Sequence, residues 1–444
     1  MFDMLISGGT VVNADGEVRA DLAIADGRIA AILSPGDAAT ARTEINAAGR
    51  HLLPGLVDAH VHLREPGLTH KEDFDSGTKA AALGGVTTVL DMPTDDPWTA
   101  TGKQLSDKMA LAGGRLHVDV GFQAVIGRDL DALEALIALR PVSLELFTAD
   151  VPPAFMFDGL DAVKQTLKRL VPHDMLVGIS PGDQSLLLGS EMRDRSGDIP
   201  AFLSSRPPLA EAGGIARAVL AAAETGARIH VRQINSLLGV DVWRRLRDMA
   251  DATVETTPQN LFFTADDYQT QGAGLKGSPP LRGREDVEAL RAALAEGLID
   301  IIATDHAPHS RAEKAMRYSA FSEIPGGMPG LQTLLPVMLK LVGEGLIGLT
   351  DLVRMCAFTP AKRFGLGRSK GRIAAGYDAD IVIVNRNRAS IITSAEQASR
   401  AAYTPFDGWS IPARLTDVFL RGERIVSEGS LVTYTHGQVV TRQD

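Results

Sequence analysis

The sequence predicts an α/β fold in which a parallel (β/α)8 barrel, a TIM barrel, lies beside a small β-sandwich formed by both chain ends. The first observation is that eight short strand-like runs recur between residues 52 and 369, most of them followed by a stretch with helical periodicity such as GGIARAVLAAAETG. Eight such units close a parallel barrel. The second observation is that residues 1–51 and 370–444 alternate apolar and polar positions around turn signals, as antiparallel strands do. We therefore expect a barrel at 52–369 and a sandwich in which the two ends pair.

The barrel strands are recognised individually by runs of apolar and β-branched residues. In chain order they are LLPGLVDAHVHL, VTTVLDMP, HVDVGFQAV, SLELFT, MLVGIS, RIHVRQI, ATVETT and IDIIATDHAP. In the amino-terminal part, Asp15-Gly16 and Asp26-Gly27 mark two hairpin turns. The carboxyl-terminal runs GRIAAGYDADIVIVNRN and RLTDVFLRGERIVSEGSLV show the same alternation of strand-like segments and turns. The sequence pattern at both ends therefore predicts that they contribute strands to one β-rich unit.

The composition excludes several classes of protein. The 444 residues include 45 Lys and Arg against 55 Asp and Glu, a net charge of -10, and no basic cluster. We therefore expect no nucleic-acid partner and no binding to anionic membranes. No apolar run is long enough to cross a bilayer and the amino terminus does not resemble a secretory signal, so a cytoplasmic protein is expected. The single cysteine, Cys356, has apolar neighbours and is expected to be a packed thiol.

Two histidines, His60 and His62, stand one residue apart at the end of the first barrel strand. Residues two apart on a strand point to the same face, so both side chains are expected at the carboxyl end of the barrel, where barrel enzymes hold their active sites. The pair alone is compatible with a metal site and equally with two hydrogen-bonded histidines. Asp305 ends the eighth strand, which neighbours the first in a closed barrel. The three residues are therefore candidate metal ligands.

A set of motifs spread over essentially the whole chain resembles one enzyme family. The motifs are VDAHVHLREPG, HKEDFDSGTKAAALGGVTTVLDMP, SPPLR, ATDHAPH, GGMPGLQTLLP, TPAKRFGL and KGRIAAGYDADIVIV, in this order. The sequence is similar to the cyclic amidohydrolases of the amidohydrolase superfamily, which include dihydroorotase, allantoinase and hydantoinase. The resemblance implies a distorted (β/α)8 barrel with a composite β-sandwich, metal-dependent hydrolysis of a C–N bond in a cyclic amide, and assembly as a homodimer or homotetramer.

The resemblance also implies a pair of metal ions, and here the sequence departs from it. Hydantoinase-like members hold the second ion with two further histidines and a carboxylated lysine that bridges both ions. Glu145 stands at the lysine's position, Ser180 or Ile179 at the strand-five histidine, and Gln233 at the strand-six histidine. Neutral oxygen donors replace imidazole poorly at a zinc-like ion, so we expect one divalent ion, Zn²⁺ first and Mn²⁺ or Fe²⁺ as alternatives. Its expected ligands are His60, His62, Asp305 and Glu145.

Two alternatives to ligation by Glu145 stay open. Its carboxylate reaches less far from the backbone than a lysine carbamate, and it would otherwise form a salt bridge with a nearby Lys or Arg. Asp150, a few residues further along the chain, is the fallback ligand. His173 and His230 are expected to be ordinary loop and strand histidines.

Asp305 is the expected catalytic residue. A carboxylate beside the ion can take a proton from the attacking water and deliver it to the leaving nitrogen, as the resemblance implies. His306 and His309 have a weaker claim, because either would otherwise be a hydrogen-bonding neighbour of the Asp305 loop. The expected substrate-binding residues are Arg64, Thr94, Ser278 and Gln233.

The substrate expectation depends on how these residues compare with dihydroorotase. Arg64 resembles the arginine with which dihydroorotase binds a carboxylate, and a salt bridge with Glu65 or a neighbouring Asp is the alternative. Thr94, Asp95 and Ser278 depart from dihydroorotase, and an Asp95 facing the pocket would repel a carboxylate. We therefore expect a cyclic ureide or imide, such as a hydantoin, a dihydropyrimidine or an allantoin-like ring. A second hypothesis is a catalytically silent scaffold that supports a partner enzyme.

Overall fold

The structure, a computed structural model, describes residues 1–191, 196–433 and 436–443. Strands and helices are numbered below in chain order. At the centre is a barrel of parallel strands that neighbour one another in chain order. In the described ranges its eight strands are β6 (Leu56–Val61), β7 (Val86–Asp91), β8 (Asp119–Val125), β9 (Ser143–Phe147), β10 (Leu176–Ser180), β11 (Arg228–Val231), β12 (Ala252–Thr256) and β13 (Ile301–Ile302). A bridge between Val61 and His306 brings the last strand's end beside the first, so the barrel is nearly closed. The predicted α/β barrel is confirmed.

A second sheet is built from both ends of the chain. Over the described ranges its nine strands are β1 (Phe2–Asn13), β2 (Gly16–Ala25), β3 (Arg28–Leu33), β4 (Ala41–Asn46), β5 (His51–Pro54), β14 (Ile381–Asn385), β17 (Arg414–Leu420), β18 (Glu423–Ser427) and β19 (Ser430–Leu431). The two ends meet where β14 pairs antiparallel with β5, for example at Ile383 and Leu52. Residues from both ends, including Ile6 and Phe419, are fully buried in a shared apolar core. The predicted pairing of the two ends is thus confirmed.

Strand pairing shifts two of the expected segment boundaries. β5 pairs with β14 of the end sheet, so the barrel begins after Pro54 rather than at residue 52. The short strand β20 (Val439–Val440) pairs with β8 of the barrel instead of joining the end sheet. A two-stranded hairpin of β15 (Ser390–Ile391) and β16 (Ser410–Ile411) stands apart from both sheets. The carboxyl-terminal part therefore contacts the barrel as well as the sheet.

The helices begin and end where the sequence supplies caps. α1 (Phe74–Leu83) begins after Asp73, whose side chain accepts a hydrogen bond from the backbone N–H of Ser76. α7 (Pro208–Thr225) has a proline in its first turn and ends at Gly226 with φ 77, the left-handed conformation that glycine adopts most easily. The other α-helices in the described ranges are α2 (Gly102–Ala112), α3 (Leu133–Ala138), α4 (Leu160–Leu170), α5 (Gln184–Glu191), α6 (Ile199–Ser205), α8 (Leu237–Leu246), α9 (Tyr268–Gln271), α10 (Arg284–Ala295), α11 (Arg311–Lys314), α12 (Leu334–Gly343), α13 (Leu349–Val353) and α14 (Thr359–Arg363). No helix that the structure describes is both long enough and apolar enough to span a membrane.

The barrel interior is charged at its centre. Glu145 on β9, Glu255 on β12 and Arg232, which directly follows β11, are all fully buried there. Strand alternation sends the neighbours of Glu145, Leu144 and Leu146, into the apolar layer of the core. Charges this deeply buried persist only when they are paired, so the interior of the barrel must hold an organised set of ion pairs.

Candidate active site

His60, His62 and Asp305 converge at the carboxyl end of the barrel. Nε2 of His60 lies 3.3 Å from Oδ1 of Asp305, and Nε2 of His62 lies 3.2 Å from the same oxygen. One donor atom from each residue lies within 4.8 Å of the other two, which is the spacing of a metal-binding cluster. His60 and Asp305 are buried, and His62 is only slightly exposed. The three residues predicted from the sequence as ligands are therefore brought together.

A hydrogen bond at Nδ1 orients each of the two histidines. Nδ1 of His60 lies 2.5 Å from Oε1 of Glu255, and Nδ1 of His62 lies 2.8 Å from the hydroxyl oxygen of Thr94. These contacts leave both Nε2 atoms facing Asp305. Burial lowers the pKa of His62 to about 3, which keeps this imidazole neutral. Burial opposes the charged form of His60 as well, but the carboxylates of Glu255 and Asp305 raise its pKa above the ordinary value.

The donor set fits a divalent transition metal. Two imidazole nitrogens and a carboxylate oxygen form the mixed nitrogen and oxygen environment that Zn²⁺ accepts and that Mn²⁺ and Fe²⁺ also accept. The nitrogens are oriented by partners on their far side, as metal-binding histidines usually are. His60, His62 and Asp305 are therefore the residues that would hold such an ion.

Gln233 lies against the third of these residues. Its side-chain amide donates a 2.6 Å hydrogen bond to Oδ2 of Asp305. Both residues have left-handed backbones, with φ 52 at Gln233 and φ 47 at Asp305, and Arg64 in the same site has φ 62. Such conformations are uncommon for residues other than glycine and cluster at functional sites. The backbone is thus bent at three strand ends to direct these side chains.

Glu145 is not brought to the metal-binding cluster. Its Oε1 accepts a 2.7 Å hydrogen bond from Arg232, its Oε2 accepts a second of 3.1 Å from the same guanidinium, and Ser143 donates to Oε1 at 2.8 Å. The expected ligand is therefore found in the salt bridge that was the alternative interpretation. The physical reason is that a carboxylate on so short a side chain meets the buried guanidinium of Arg232 before it reaches the cluster. The fallback ligand, Asp150, pairs with Arg206 at 2.9 Å.

Sequence reasoning missed Arg232 and Glu255. Arg232 also donates to Oε2 of Glu255 at 3.1 Å, so its guanidinium joins the two buried carboxylates of Glu145 and Glu255. His230, expected to be an ordinary strand histidine, places its Nε2 2.9 Å from Oε2 of Glu255, where it donates a hydrogen bond to the carboxylate. The available signal was the presence of Glu145 and Glu255 on two barrel strands that carry no other charged residue, since two inward carboxylates require a buried cation.

Arg64 lies in the site without a carboxylate partner. Its nearest polar side-chain contact in the described chain is Nε2 of His309, 3.4 Å from its Nη2, and its Nε is buried without a partner. Burial lowers its pKa, although Asp305 and Asp95 oppose the shift. The alternative partner, Glu65, instead pairs with Arg115 at 2.6 Å. A buried, unpaired guanidinium beside the cluster favours an anionic or strongly polar ligand.

Asp95, which would repel a carboxylate if it faced the pocket, is held in an ion pair. The Asp95 side chain is buried, accepts a hydrogen bond from Thr99 at 2.8 Å and pairs with Lys108 at 2.6 Å. Lys108 pairs with Asp91 at 2.6 Å as well. Asp95 therefore shares the single ammonium of Lys108 with Asp91 in a buried ion-pair group. Thr94, expected to contact substrate, contacts His62 instead.

Two adjoining cavities open beside the cluster. A cavity of about 190 Å³ is lined by Phe147, Ser180, Gln233 and Ser278 among others. A much smaller one is lined by Asp305, Gln233, Ser278 and Met328 among others. Gln233 and Ser278 line both, so the larger cavity adjoins the candidate ligand Asp305. Gln233 and Ser278, two of the residues expected to bind substrate, therefore line the cavities next to Asp305.

His306 and His309 hold the loops around the site. Nε2 of His306 lies 3.1 Å from Glu72, and its Nδ1 accepts a hydrogen bond from the backbone N–H of Gly330. His309 lies on the loop that follows the last barrel strand, and its Nδ1 is 3.2 Å from Glu313 of α11. His306 is therefore engaged at both ring nitrogens away from the cluster, in the supporting role that was the alternative for it.

Comparisons with known proteins agree with this site. The model of the amidohydrolase family matches residues 211–425, and a model described as dihydro-orotase-like matches residues 49–237. The dihydroorotase of Halobacterium salinarum is 38% identical over 404 residues, covering 89% of this chain and 91% of that protein. The allantoinase of Rubrobacter xylanophilus is 33% identical over 460 residues, covering 100% of this chain and 98% of that protein. The solved structure of the L-hydantoinase (dihydropyrimidinase) from Arthrobacter aurescens superposes with a TM-score of 0.95 at 28% identity, with 100% of both chains covered.

The chain therefore belongs to the amidohydrolase family. Its relatives are dihydroorotases, allantoinases and hydantoinases, all of them cyclic amidohydrolases. The protein is accordingly a hydrolase that acts on a C–N bond in a cyclic amide, and dependence on metal is general to this family.

Proposed function

We propose that this protein opens a cyclic amide at a site that holds one divalent ion, Zn²⁺ first among the candidates, through His60, His62 and Asp305. The observation that carries the proposal is the convergence of these three donors within 4.8 Å of one another. A bound ion of this kind lowers the pKa of a coordinated water molecule and polarises the amide carbonyl. One ion is sufficient for both effects.

The ion pair of Arg232 and Glu145 supports a single metal. A second divalent ion in this family's arrangement needs a bridging anion, and Glu145 at that sequence position has both carboxylate oxygens engaged by Arg232. The buried guanidinium adds a positive charge that would repel a second cation. Ser180 and Gln233, at the positions of the missing histidines, are neutral and poor ligands for such an ion.

Asp305 is the proposed proton carrier. Its Oδ2 accepts the amide hydrogen bond from Gln233, whereas Oδ1 faces the two histidines. Oδ1 is the atom that would hold the ion, so Oδ2, which keeps a second lone pair beside the Gln233 hydrogen bond, is the atom left to take a proton from the attacking water and to return it to the ring nitrogen as the C–N bond breaks. Gln233 has no titratable proton, so it orients the carboxylate without competing for the proton.

The substrate proposed is a ring amide that carries a carboxylate or another strongly polar group. Arg64 supports this, because a guanidinium that is buried beside the cluster without a carboxylate partner gains most from an anionic ligand. A carboxylated ring is kept among the candidates because Asp95 is engaged in an ion pair with Lys108. Substrates of the dihydroorotate type therefore join hydantoins, dihydropyrimidines and allantoin-like ureides as candidates.

Metal analysis and a substrate panel test the proposal together. Purified protein reconstituted with Zn²⁺ or Mn²⁺ is expected to hold about one ion per chain and to open at least one of dihydroorotate, allantoin, hydantoins, dihydropyrimidines and cyclic imides. Two ions per chain would overturn the mononuclear site. The absence of turnover with every ring in metal-replete protein would favour the silent scaffold.

We also propose that the protein assembles as a homo-oligomer and is located in the cytoplasm. The resemblance to cyclic amidohydrolases supports a homodimer or homotetramer, which light scattering on the purified protein would measure. The single cysteine, Cys356, is buried and unpaired, which suits a reducing cytoplasm.

A further inference from the structure

We propose that Glu255 is a positioning residue for the metal ligand His60, and that its carboxylate determines how tightly the site holds a divalent ion. This inference rests on the proposed metal site. It concerns a residue that is remote from the ion itself and acts through the imidazole between them.

The carboxylate of Glu255 is the centre of a buried hydrogen-bond network. Its Oε1 lies 2.5 Å from Nδ1 of His60, and its Oε2 is contacted by His230 at 2.9 Å and by Arg232 at 3.1 Å. The side chains of Glu255, His230 and Arg232 are all fully buried. Since the carboxylate only accepts hydrogen bonds when ionised, it requires the proton of His60 to be on Nδ1. The lone pair on Nε2 of His60 is then free for an ion.

The charge on Glu255 is maintained by its neighbours. Its carboxylate is paired with the buried guanidinium of Arg232 at 3.1 Å, and a buried carboxylate beside a permanent cation keeps its charge. The carboxylate therefore stays ionised. An ionised carboxylate bonded to the far nitrogen of a metal-binding histidine fixes the orientation of the ring and increases its strength as a ligand.

Arg232 also holds His60 in position through the backbone. The same guanidinium nitrogen that contacts Glu255 donates a 2.9 Å hydrogen bond to the backbone carbonyl of Ala59, directly before His60. The Arg232 guanidinium therefore holds both the backbone carbonyl that precedes His60 and the carboxylate that is hydrogen-bonded to its ring. Glu145 binds the opposite side of this guanidinium and makes no described contact with His60.

Glu145 therefore provides a matched control for Glu255. Each is a fully buried glutamate paired with Arg232, and Glu→Gln at either position leaves the guanidinium with one carboxylate fewer. Only Glu255→Gln also removes the ionised acceptor from His60. If metal affinity falls because the barrel is generally weakened, it should fall in both variants. If Glu255 positions His60, metal affinity should fall in Glu255→Gln alone.

The experiment is a titration of metal-free protein with Co²⁺, read by visible absorption and by competition with a chromophoric chelator. We expect Glu255→Gln to bind Co²⁺ roughly 10- to 100-fold more weakly than wild type, and Glu145→Gln to bind within about threefold of wild type. Equal affinity of Glu255→Gln and wild type would overturn the inference, as would equal weakening in both variants. Failure of the wild type itself to bind Co²⁺ would instead overturn the proposed metal site.

A second pair of variants covers the case in which Glu255→Gln does not fold. Glu255→Asp keeps a negative charge for Arg232 but shortens the side chain away from His60, and Glu145→Asp makes the same change without touching His60. Weaker Co²⁺ binding in the first variant alone supports the inference. Unchanged binding in Glu255→Asp, with thermal unfolding showing a folded protein, contradicts it.

Discussion

The guanidinium of Arg232 binds the carboxylate of Glu145 through two parallel hydrogen bonds, 2.7 Å from Nη2 to Oε1 and 3.1 Å from Nε to Oε2. Both side chains are fully buried in the barrel interior. Such a two-pronged contact engages both oxygens and is the strongest geometry for an arginine and a carboxylate. A position that the family resemblance associates with metal binding therefore carries an ion pair in this protein.

The first prediction concerns the stability of that ion pair. Glu145→Gln should leave metal content unchanged and lower the free energy of unfolding by about 3 to 5 kcal/mol, because it leaves the buried guanidinium with an incomplete set of partners. Urea unfolding and elemental analysis of the same preparation measure the two effects. Ser143→Ala, which removes the hydroxyl shared between Glu145 and Gln123 but leaves the ion pair intact, should cost about 1 kcal/mol. Loss of metal from Glu145→Gln would restore Glu145 as a ligand.

The second prediction concerns Asp305. Asp305→Asn should lower kcat by roughly 10²- to 10⁴-fold, since the amide can neither accept nor return the proton. The assay is ring opening at saturating metal, with the bound metal measured in parallel so that loss of the ion is separated from loss of proton transfer. Asp107→Asn, an exposed substitution in a surface ion pair with Lys103, serves as the control and should leave kcat unchanged. A fully active Asp305→Asn would remove Asp305 from the mechanism.

The third prediction concerns Arg64 and the charge of the substrate. Arg64→Met should lower kcat/KM roughly 10- to 100-fold for a ring that carries a carboxylate, because a hydrogen bond to a charged group is lost. A neutral ring of similar size should lose much less. Steady-state kinetics on such a pair of rings gives the comparison, and Arg372→Met, which changes an arginine paired with Asp15 at the surface, is the control. An equal loss for both rings would argue against recognition of an anionic group.

The fourth prediction concerns Thr94. Thr94→Val keeps the shape of the side chain but removes the hydroxyl that lies 2.8 Å from Nδ1 of His62. We expect metal affinity to fall about tenfold or more, since partners of this kind orient metal-binding histidines. Chelator competition measures the affinity and thermal unfolding checks the fold. If Thr94 instead contacts the substrate alone, KM will rise while metal affinity stays at the wild-type value.

The fifth prediction concerns the pH dependence of stability. Burial, aided by neighbouring Lys276, lowers the pKa of Lys314 to about 7, and its ammonium group contacts the backbone carbonyls of Ala273 and Lys276. Lysine in an unfolded chain has a pKa of about 10.4. Between these values the unfolded chain binds more protons than the folded one, so the stability contributed by this group rises as pH increases from about 7 to about 10.

Lys314→Met isolates this contribution. The free energy of unfolding of the wild type, minus that of the variant, should increase over the same pH interval and be constant below it. Urea unfolding of both proteins in matched buffers provides the measurement. A difference that does not change between pH 7 and pH 10 would show that Lys314 titrates in the folded protein as it does in the unfolded chain.

The sequence by itself determined the fold and the centre of the site. Eight strand-like runs between helical stretches defined the barrel, because the alternation of a buried parallel strand with a helix is a local pattern. The meeting of His60 and His62 with Asp305, 243 residues away from His62, also followed from the sequence. Once the barrel closes, its first and last strands are neighbours and their carboxyl ends share one rim, so the topology alone brings those residues together.

Only the tertiary structure decided which partner each inward-facing polar residue has. Glu145 pairs with Arg232, 87 residues further along the chain, and Asp95 pairs with Lys108 rather than facing the substrate. The sequence shows that a strand carries a carboxylate, but the partner depends on the length and rotamer of side chains that arrive from other strands and helices. Because burial of a charge is tolerated only beside its counter-charge, those three-dimensional distances fixed Glu145 in an ion pair and left Arg64 unpaired beside the cluster.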